Sequence, residues 1–173
     1  MTSPSTYFDK KIDGLDLIVF DLDYTLWPFY VEYCDKPFKK TETGILDASG
    51  NKVQPYPHST SILQKLSSLG YKIGIASRTS AVKDGAELVN SFEWTQYISY
   101  QEIYPTSKVQ HFNQFNKQSG IPFERMLFFD DEEHNVADVN GLGAVAILVD
   151  SGVSDSVVAD GLEYFVRKQI TGK

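Results

Sequence analysis

Four apolar runs of strand length punctuate the chain: Leu15 to Phe20, Tyr71 to Ala76, Arg125 to Phe129 and Ala144 to Val149. Runs this continuous imply burial on both faces, as in the centre of a parallel sheet covered by helices. Thr95 to Tyr100 alternates instead and reads as an edge strand. Between the runs lie stretches of helical spacing. Ser59 stands as a cap before Ile62, Leu63, Leu66 and Leu69, with Gly70 as the stop. Ser80 precedes Val82, Ala86 and Val89. Ser107 precedes Lys108, Val109, Phe112 and Phe115, and Gly120-Ile121-Pro122 closes that helix. A last helix from about Ser154 spaces Val158, Leu162 and Phe165 along one face. Strand and helix in alternation predict an α/β fold: a doubly wound, Rossmann-like parallel sheet of about five strands.

Two regions fall outside this rhythm. Residues 1–14 read as an N-terminal arm, leaving 15–173 as one domain. Residues 27–56 hold aromatics, Lys36, Lys39, Lys40 and a turn at Ser49-Gly50-Asn51, the composition of a small hairpin or flap after the first strand.

Composition narrows the function classes. The 173 residues carry a net charge of -7, which repels polyphosphate backbones and argues against nucleic-acid partners. No apolar run approaches the ~18 residues that would read as a membrane span, so no membrane partner is expected. Met1 to Thr6 has neither the basic nor the apolar part of an export signal. Cys34 is the only cysteine, which suits a reducing compartment, so the expected location is the cytoplasm, with the nucleus also open to it. A cysteine-phosphatase reading of Cys34 fails, because Lys40 stands six positions on where an arginine is needed.

Chemistry in an open α/β sheet gathers where strands end. The first run ends in Asp21-Leu22-Asp23-Tyr24-Thr25, the second in Ser77-Arg78-Thr79 and the third in Asp130-Asp131-Glu132, while Lys108 opens a helix. Residues two apart in extended chain face one way, so Asp21 and Asp23 share a side. Asp130 brought beside them demands a cation. An oxygen-only donor set without a His or Cys cluster favours a hard ion, with Mg2+ first. Ser77 and Lys108 add a hydroxyl and a positive charge, the parts that hold phosphate oxygens during transfer.

These residues resemble the haloacid dehalogenase superfamily of phosphohydrolases. Asp21-Leu22-Asp23-Tyr24-Thr25 fits its DxDx[TV] motif, Ser77 the hydroxyl of its second, Lys108 its third, and Asp130-Asp131 with Asn135 the DDxxxN form of its fourth. DLDYTLWP at 21–28 with ASRTS at 76–80 is similar to the eukaryotic magnesium-dependent phosphatase family of acid phosphatase type. The resemblance implies Asp21 as nucleophile, forming an aspartyl-phosphate, and Asp23 as general acid and base. It implies Mg2+ held by the Asp21 side chain, the Asp23 backbone carbonyl and Asp130, with Asp131 acting through a water or orienting Asp130. Ser77, Arg78 and Lys108 would bind phosphate or substrate, and Asn135 would steady Lys108. Larger relatives insert a cap domain, for which 27–57 and 79–108 are too short. An uncapped site suits phosphotyrosyl proteins, while relatives also accept phosphosugars, glycated-amine derivatives included. The alternatives are a receiver-like phosphoacceptor, whose parts come in a different chain order, and an inactive phosphatase-like module that binds phospho-ligands.

Overall fold

In the computed structural model, which describes residues 7–171, the first apolar run lies at the centre of a five-stranded parallel sheet. It forms β1 (Leu17–Phe20), flanked by β5 (Lys72–Ser77) and β7 (Met126–Asp130). The outer strands are β6 (Tyr100–Ile103) beside β5 and β8 (Val145–Leu148) beside β7, giving the order β6-β5-β1-β7-β8. All four pairings are parallel.

The uninterrupted hydrophobicity of β1 has its physical reason in the helices on each side. Ile18 and Phe20 join one apolar cluster with Ile62, Leu63 and Leu66 of α1 (Ser59–Ser68), Leu88 and Val89 of α2 (Val82–Ser91), and Leu162 and Phe165 of α5 (Asp155–Thr171). Leu17 and Val19 face the other way, into a cluster with Phe112 and Phe115 of α3 (Lys108–Ser119) and Val139 of α4 (Glu133–Asn140). The expected doubly wound α/β sheet is the one observed.

Several local expectations are corrected. The edge strand begins at Tyr100; Thr95–Tyr97 is a 3-10 turn. Trp94 is the cause: it is fully buried, stacks on Trp27 with ring centres 6.0 Å apart, and its indole N–H donates to Thr60 Oγ1 at 2.9 Å. That anchor pulls the next residues into a turn. Helix α4 has no counterpart in the sequence pattern, because its buried positions are Asn135 and Val139 rather than an apolar stripe. Ser59 is the first residue inside α1, not its cap, and its hydroxyl donates to Leu26 O. Ser80 donates to Glu32, and Ala81 precedes α2 with its N–H on Thr79 Oγ1. Ser107 does cap α3, accepting from the Val109 N–H at 3.1 Å.

Residues 27–56 hold a 3-10 turn (Val31–Tyr33) and a three-stranded antiparallel sheet, β2 (Lys39–Thr41), β3 (Gly44–Leu46) and β4 (Lys52–Val53). Ile45 and Val53 seat this sheet on the main apolar cluster. The Ser49-Gly50-Asn51 turn is closed by Asp47, whose carboxylate accepts from the Ser49 and Asn51 N–H groups. Part of the N-terminal arm lies outside the described residues. In the rest, Phe8 is buried and the Ile12 N–H donates to the Tyr71 hydroxyl at 2.8 Å. No described helix is long and apolar enough to cross a membrane.

Candidate active site

The acidic residues come together because β1 and β7 are adjacent and in register, Phe20 opposite Phe129, so both strands release a carboxylate at one edge. Asp21 keeps the ladder one step further, its N–H donating to Phe129 O at 3.0 Å. Immediately after it the chain coils tightly, with Leu22 O accepting from the N–H groups of Thr25 and Leu26. Oxygens of Asp21, Asp130 and Asp131 lie within 4.8 Å of one another.

Lys108 ties the group together. It is fully buried at the start of α3, and its ammonium donates to Asp21 Oδ1 at 3.1 Å, Asp130 Oδ2 at 2.7 Å and Ala76 O at 3.0 Å. Burial works against its charge, yet the two carboxylates outweigh that and hold it above the ordinary lysine range. Asp21 goes the other way. Burial pushes its carboxyl up well above the usual range, Lys108 opposes this, and the charges of Asp130 and Asp131 add to the rise. Burial also pushes Asp131 up. One ammonium among three clustered carboxylates leaves the site short of positive charge. A hard divalent ion coordinated by oxygen is the group that supplies it. Asp21, Asp130 and Asp131 fit this ion, and the Asp23 carbonyl oxygen has no hydrogen-bond donor among the described residues.

Asp23 is oriented by groups that the sequence reading did not assign. Its Oδ1 accepts from the indole N–H of Trp27 at 2.8 Å and from the Val31 N–H at 3.0 Å. Burial raises its carboxyl despite these two bonds. Thr25, quoted in the first motif but given no role there, is fully buried and donates to Asp21 Oδ2 at 3.2 Å. Ser77 ends β5 with a hydroxyl that accepts from the Thr79 N–H at 3.3 Å.

Asn135 calls for a correction. Its amide donates to Asp130 Oδ2 at 3.1 Å and does not reach Lys108, so it steadies the carboxylate that holds the lysine. Arg78 is exposed, its guanidinium 2.7 Å from His134 Nε2 and 3.5 Å from Asn135 Oδ1. His58 stands at the N-terminal cap position of α1, and His111 is fully buried.

The cavity at this edge has a volume of about 160 Å³, with Asp21, Asp23, Arg78, Lys108, Asp131 and Asn135 in its wall. Thr79, Glu32 and Glu132, given no role from sequence, complete the lining together with Tyr30, one of the aromatics of the stretch 27–56. The available signal was position alone, since each stands within ten residues of a motif. From the stretch 27–56 the lining takes Tyr30 and Glu32, and none of the three antiparallel strands.

Comparison with known proteins gives a consistent result. The model of the Acid Phosphatase family matches residues 15–168. Human magnesium-dependent phosphatase 1 is 43% identical over 155 residues, 88% of each chain. A HAD-like hydrolase superfamily protein of Schizosaccharomyces pombe is 35% identical over 147 residues, 78% of this chain and 85% of its own. Among solved structures, a haloacid dehalogenase-like hydrolase of Xanthomonas campestris superposes with a TM-score of 0.64 at 11% identity, covering 89% of this chain and 97% of that one. The N-terminal part of a Bacteroides fragilis protein, containing a phosphatase domain and complexed with Mg, gives a TM-score of 0.61 at 15% identity. It covers 89% of this chain, which spans 40% of that one.

Proposed function

This chain belongs to the acid phosphatase family as a magnesium-dependent phosphatase of the haloacid dehalogenase type, and we propose that it hydrolyses phosphomonoesters through an aspartyl-phosphate on Asp21. The observation that carries this reading is the convergence of Asp21, Asp130 and Asp131 around Lys108 at the ends of adjacent strands.

Magnesium would be held by Asp21, Asp130 and the Asp23 carbonyl, with Asp131 acting through water, and supplies a positive charge that offsets repulsion between carboxylate and phosphate. Thr25 and Lys108 fix the Asp21 carboxylate from two sides, so attack on phosphorus starts from a set geometry. A bond forms between an Asp21 oxygen and phosphorus while the ester P–O bond breaks. Asp23, held by Trp27 and Val31 and raised by burial, hands its proton to the departing oxygen. It then takes a proton from the water that cleaves the acyl phosphate. Ser77 and Lys108 bind the transferring phosphoryl oxygens, and Arg78 reaches the substrate from the cavity wall.

Phosphotyrosyl proteins and phosphosugars, glycated-amine sugar phosphates among them, are the proposed substrates. An uncapped cavity that accommodates little beyond the phosphoryl group supports both. Cys34 as a single thiol fits a cytoplasmic location, and the nucleus equally. The test is Asp21→Asn, assayed for phosphate release from a phosphopeptide and sugar-phosphate panel with and without magnesium. Turnover is expected to fall below detection, and acid-quenched wild-type enzyme should carry phosphate on Asp21 by mass spectrometry. Wild-type rates in the variant would refute the nucleophile. An active phosphatase also leaves no place for the inactive binding module or the receiver-like phosphoacceptor.

A further inference from the structure

The phosphoryl cavity is too small to take a whole substrate. Its volume of about 160 Å³ lies below the ~300–1,000 Å³ of ordinary ligand sites, so the leaving group must sit elsewhere. A second cavity of about 360 Å³ adjoins it, lined by Tyr24, Tyr30, Tyr56, Asp131, Val149 and Asp150. Tyr30 and Asp131 belong to both linings, so the two spaces share a wall.

Its lining has two distinct features. The first is an aromatic wall. Tyr24 and Tyr30 meet edge to face with ring centres 4.8 Å apart, and Tyr33, outside the lining, meets Tyr30 in the same way at 5.7 Å. These rings are exposed by 38%, 41% and 78%, well above what apolar packing alone would leave open. Tyr24 directly follows Asp23 and has a left-handed backbone, φ +57°, uncommon for a bulky residue; its N–H donates to Trp27 O at 2.7 Å. Tyr56 lies flat on Gly152, where a Cβ would come within 2.4 Å of its ring, so only glycine leaves Tyr56 in this position.

The second feature is charge. The residues lining this cavity include two carboxylates, Asp131 and Asp150, and no cation. Arg78 and Lys108 line the phosphoryl cavity instead. Asp150 follows β8 as Asp130 ends β7, which brings it to the same edge of the sheet, where it is exposed.

We infer that this second cavity is the leaving-group subsite, in which Tyr30 stacks against a ring-shaped leaving group and Asp150 selects against a negative charge on it. The inference rests on the phosphatase reading above and adds the residues that choose among monoesters. Phosphate enters where the cations are; the alcohol that departs lies among tyrosines, Val149 and two acids. A leaving group with a second anion meets like charge, and one with an ammonium meets opposite charge.

Three esters test this with the magnesium-loaded enzyme: phenyl phosphate, 4-carboxyphenyl phosphate and 4-(aminomethyl)phenyl phosphate. The measured quantity is the ratio of kcat/KM for the ammonium ester to that for the carboxylate ester, in wild type and in Asp150→Asn. Intrinsic reactivity cancels between the two proteins. The ratio is expected to fall roughly two- to five-fold in Asp150→Asn, the size of one exposed charge interaction, and further in Asp150→Lys. Tyr30→Ala is expected to lower kcat/KM for phenyl phosphate by roughly two- to ten-fold. A ratio unmoved by both Asp150 variants overturns the inference while leaving the phosphatase reading intact. No turnover of any ester by wild type overturns both.

Discussion

His111 is a buried histidine on the helix that carries Lys108, and its energetics follow from what surrounds it. Its Nε2 lies 3.0 Å from Tyr104 O and its Nδ1 has no partner among the described residues. Burial first, and the Lys108 charge second, lower its pKa from 6.5 to about 4. The folded protein thus holds it neutral while the unfolded chain protonates it near its ordinary value. Its contribution is fully present above pH 6.5 and is lost as pH falls toward about 4. Denaturant unfolding of wild type and His111→Gln at pH 7.5, 6 and 5 checks this. The variant is expected to be the less stable at pH 7.5, with the gap closing toward pH 5; a constant gap would refute the assignment. Asp16 is shifted in the same direction for the opposite reason, its charged form being the one favoured, and in a lower window. The Arg125 guanidinium beside it holds its carboxyl below the usual range, so its contribution disappears only at still more acid pH. At this scale the sequence was clear for Asp21 and Asp130, whose type and strand-end positions speak for themselves, and for Lys108 by its place at the start of a helix. It was silent on Trp27 and Thr25, whose polar atoms serve the site from side chains that read as core or turn.

Helix α5 shows how an element's packing overrides its own preference. Gly161 sits in its interior, where alanine would ordinarily favour the helix by about 1 kcal/mol. A Cβ there would come within 2.6 Å of the Phe129 ring of β7, and Phe129 is itself stacked on Phe20. The ring cannot retreat without disturbing the strand that ends in Asp130. Gly161→Ala is therefore expected to destabilise the protein by about 1–3 kcal/mol, the usual cost of overpacking, despite its better propensity. Thermal unfolding decides it; a raised Tm would mean that α5 moves freely on the sheet. The same competition explains what was legible among the elements. The strands β1, β5 and β7 announce themselves because both faces are buried, and β8 does so by its apolar run although it lies at the sheet's edge with Leu148 exposed. Helix α4 stays hidden because its inward residues are Asn135, which holds Asp130, and a single Val139. The edge strand was misplaced because Trp94 packs on Trp27 and bonds to Thr60, both distant in the chain, and a local alternation of polar and apolar residues carries no trace of them.

The molecule as a whole concentrates at one edge of its sheet a charge imbalance that the rest of the fold must support. Its net charge is -7, and Asp21, Asp130 and Asp131 are gathered there with Lys108 as the one buried cation among the described residues. Burial pushes Asp21 up, which means that holding it ionised costs folding free energy until a divalent cation arrives. Function and stability are therefore opposed at this position, and magnesium reverses the balance. Two consequences follow for one pair of proteins. Without magnesium, Asp21→Asn is expected to melt above wild type, by about 2–4 °C for each kcal/mol of carboxylate repulsion relieved in a chain of this length. With saturating magnesium, wild type gains more than the variant, because the ion stabilises by roughly 2.7 kcal/mol at a hundred times its Kd and the variant has lost a ligand. Melting curves of both proteins in chelator and across a magnesium titration measure the two shifts together. Equal magnesium gains would remove Asp21 from the metal site. A lower chelator Tm in Asp21→Asn would instead show that its bonds to Lys108 and Thr25 outweigh the repulsion, and that the folded protein already balances its charges without the ion.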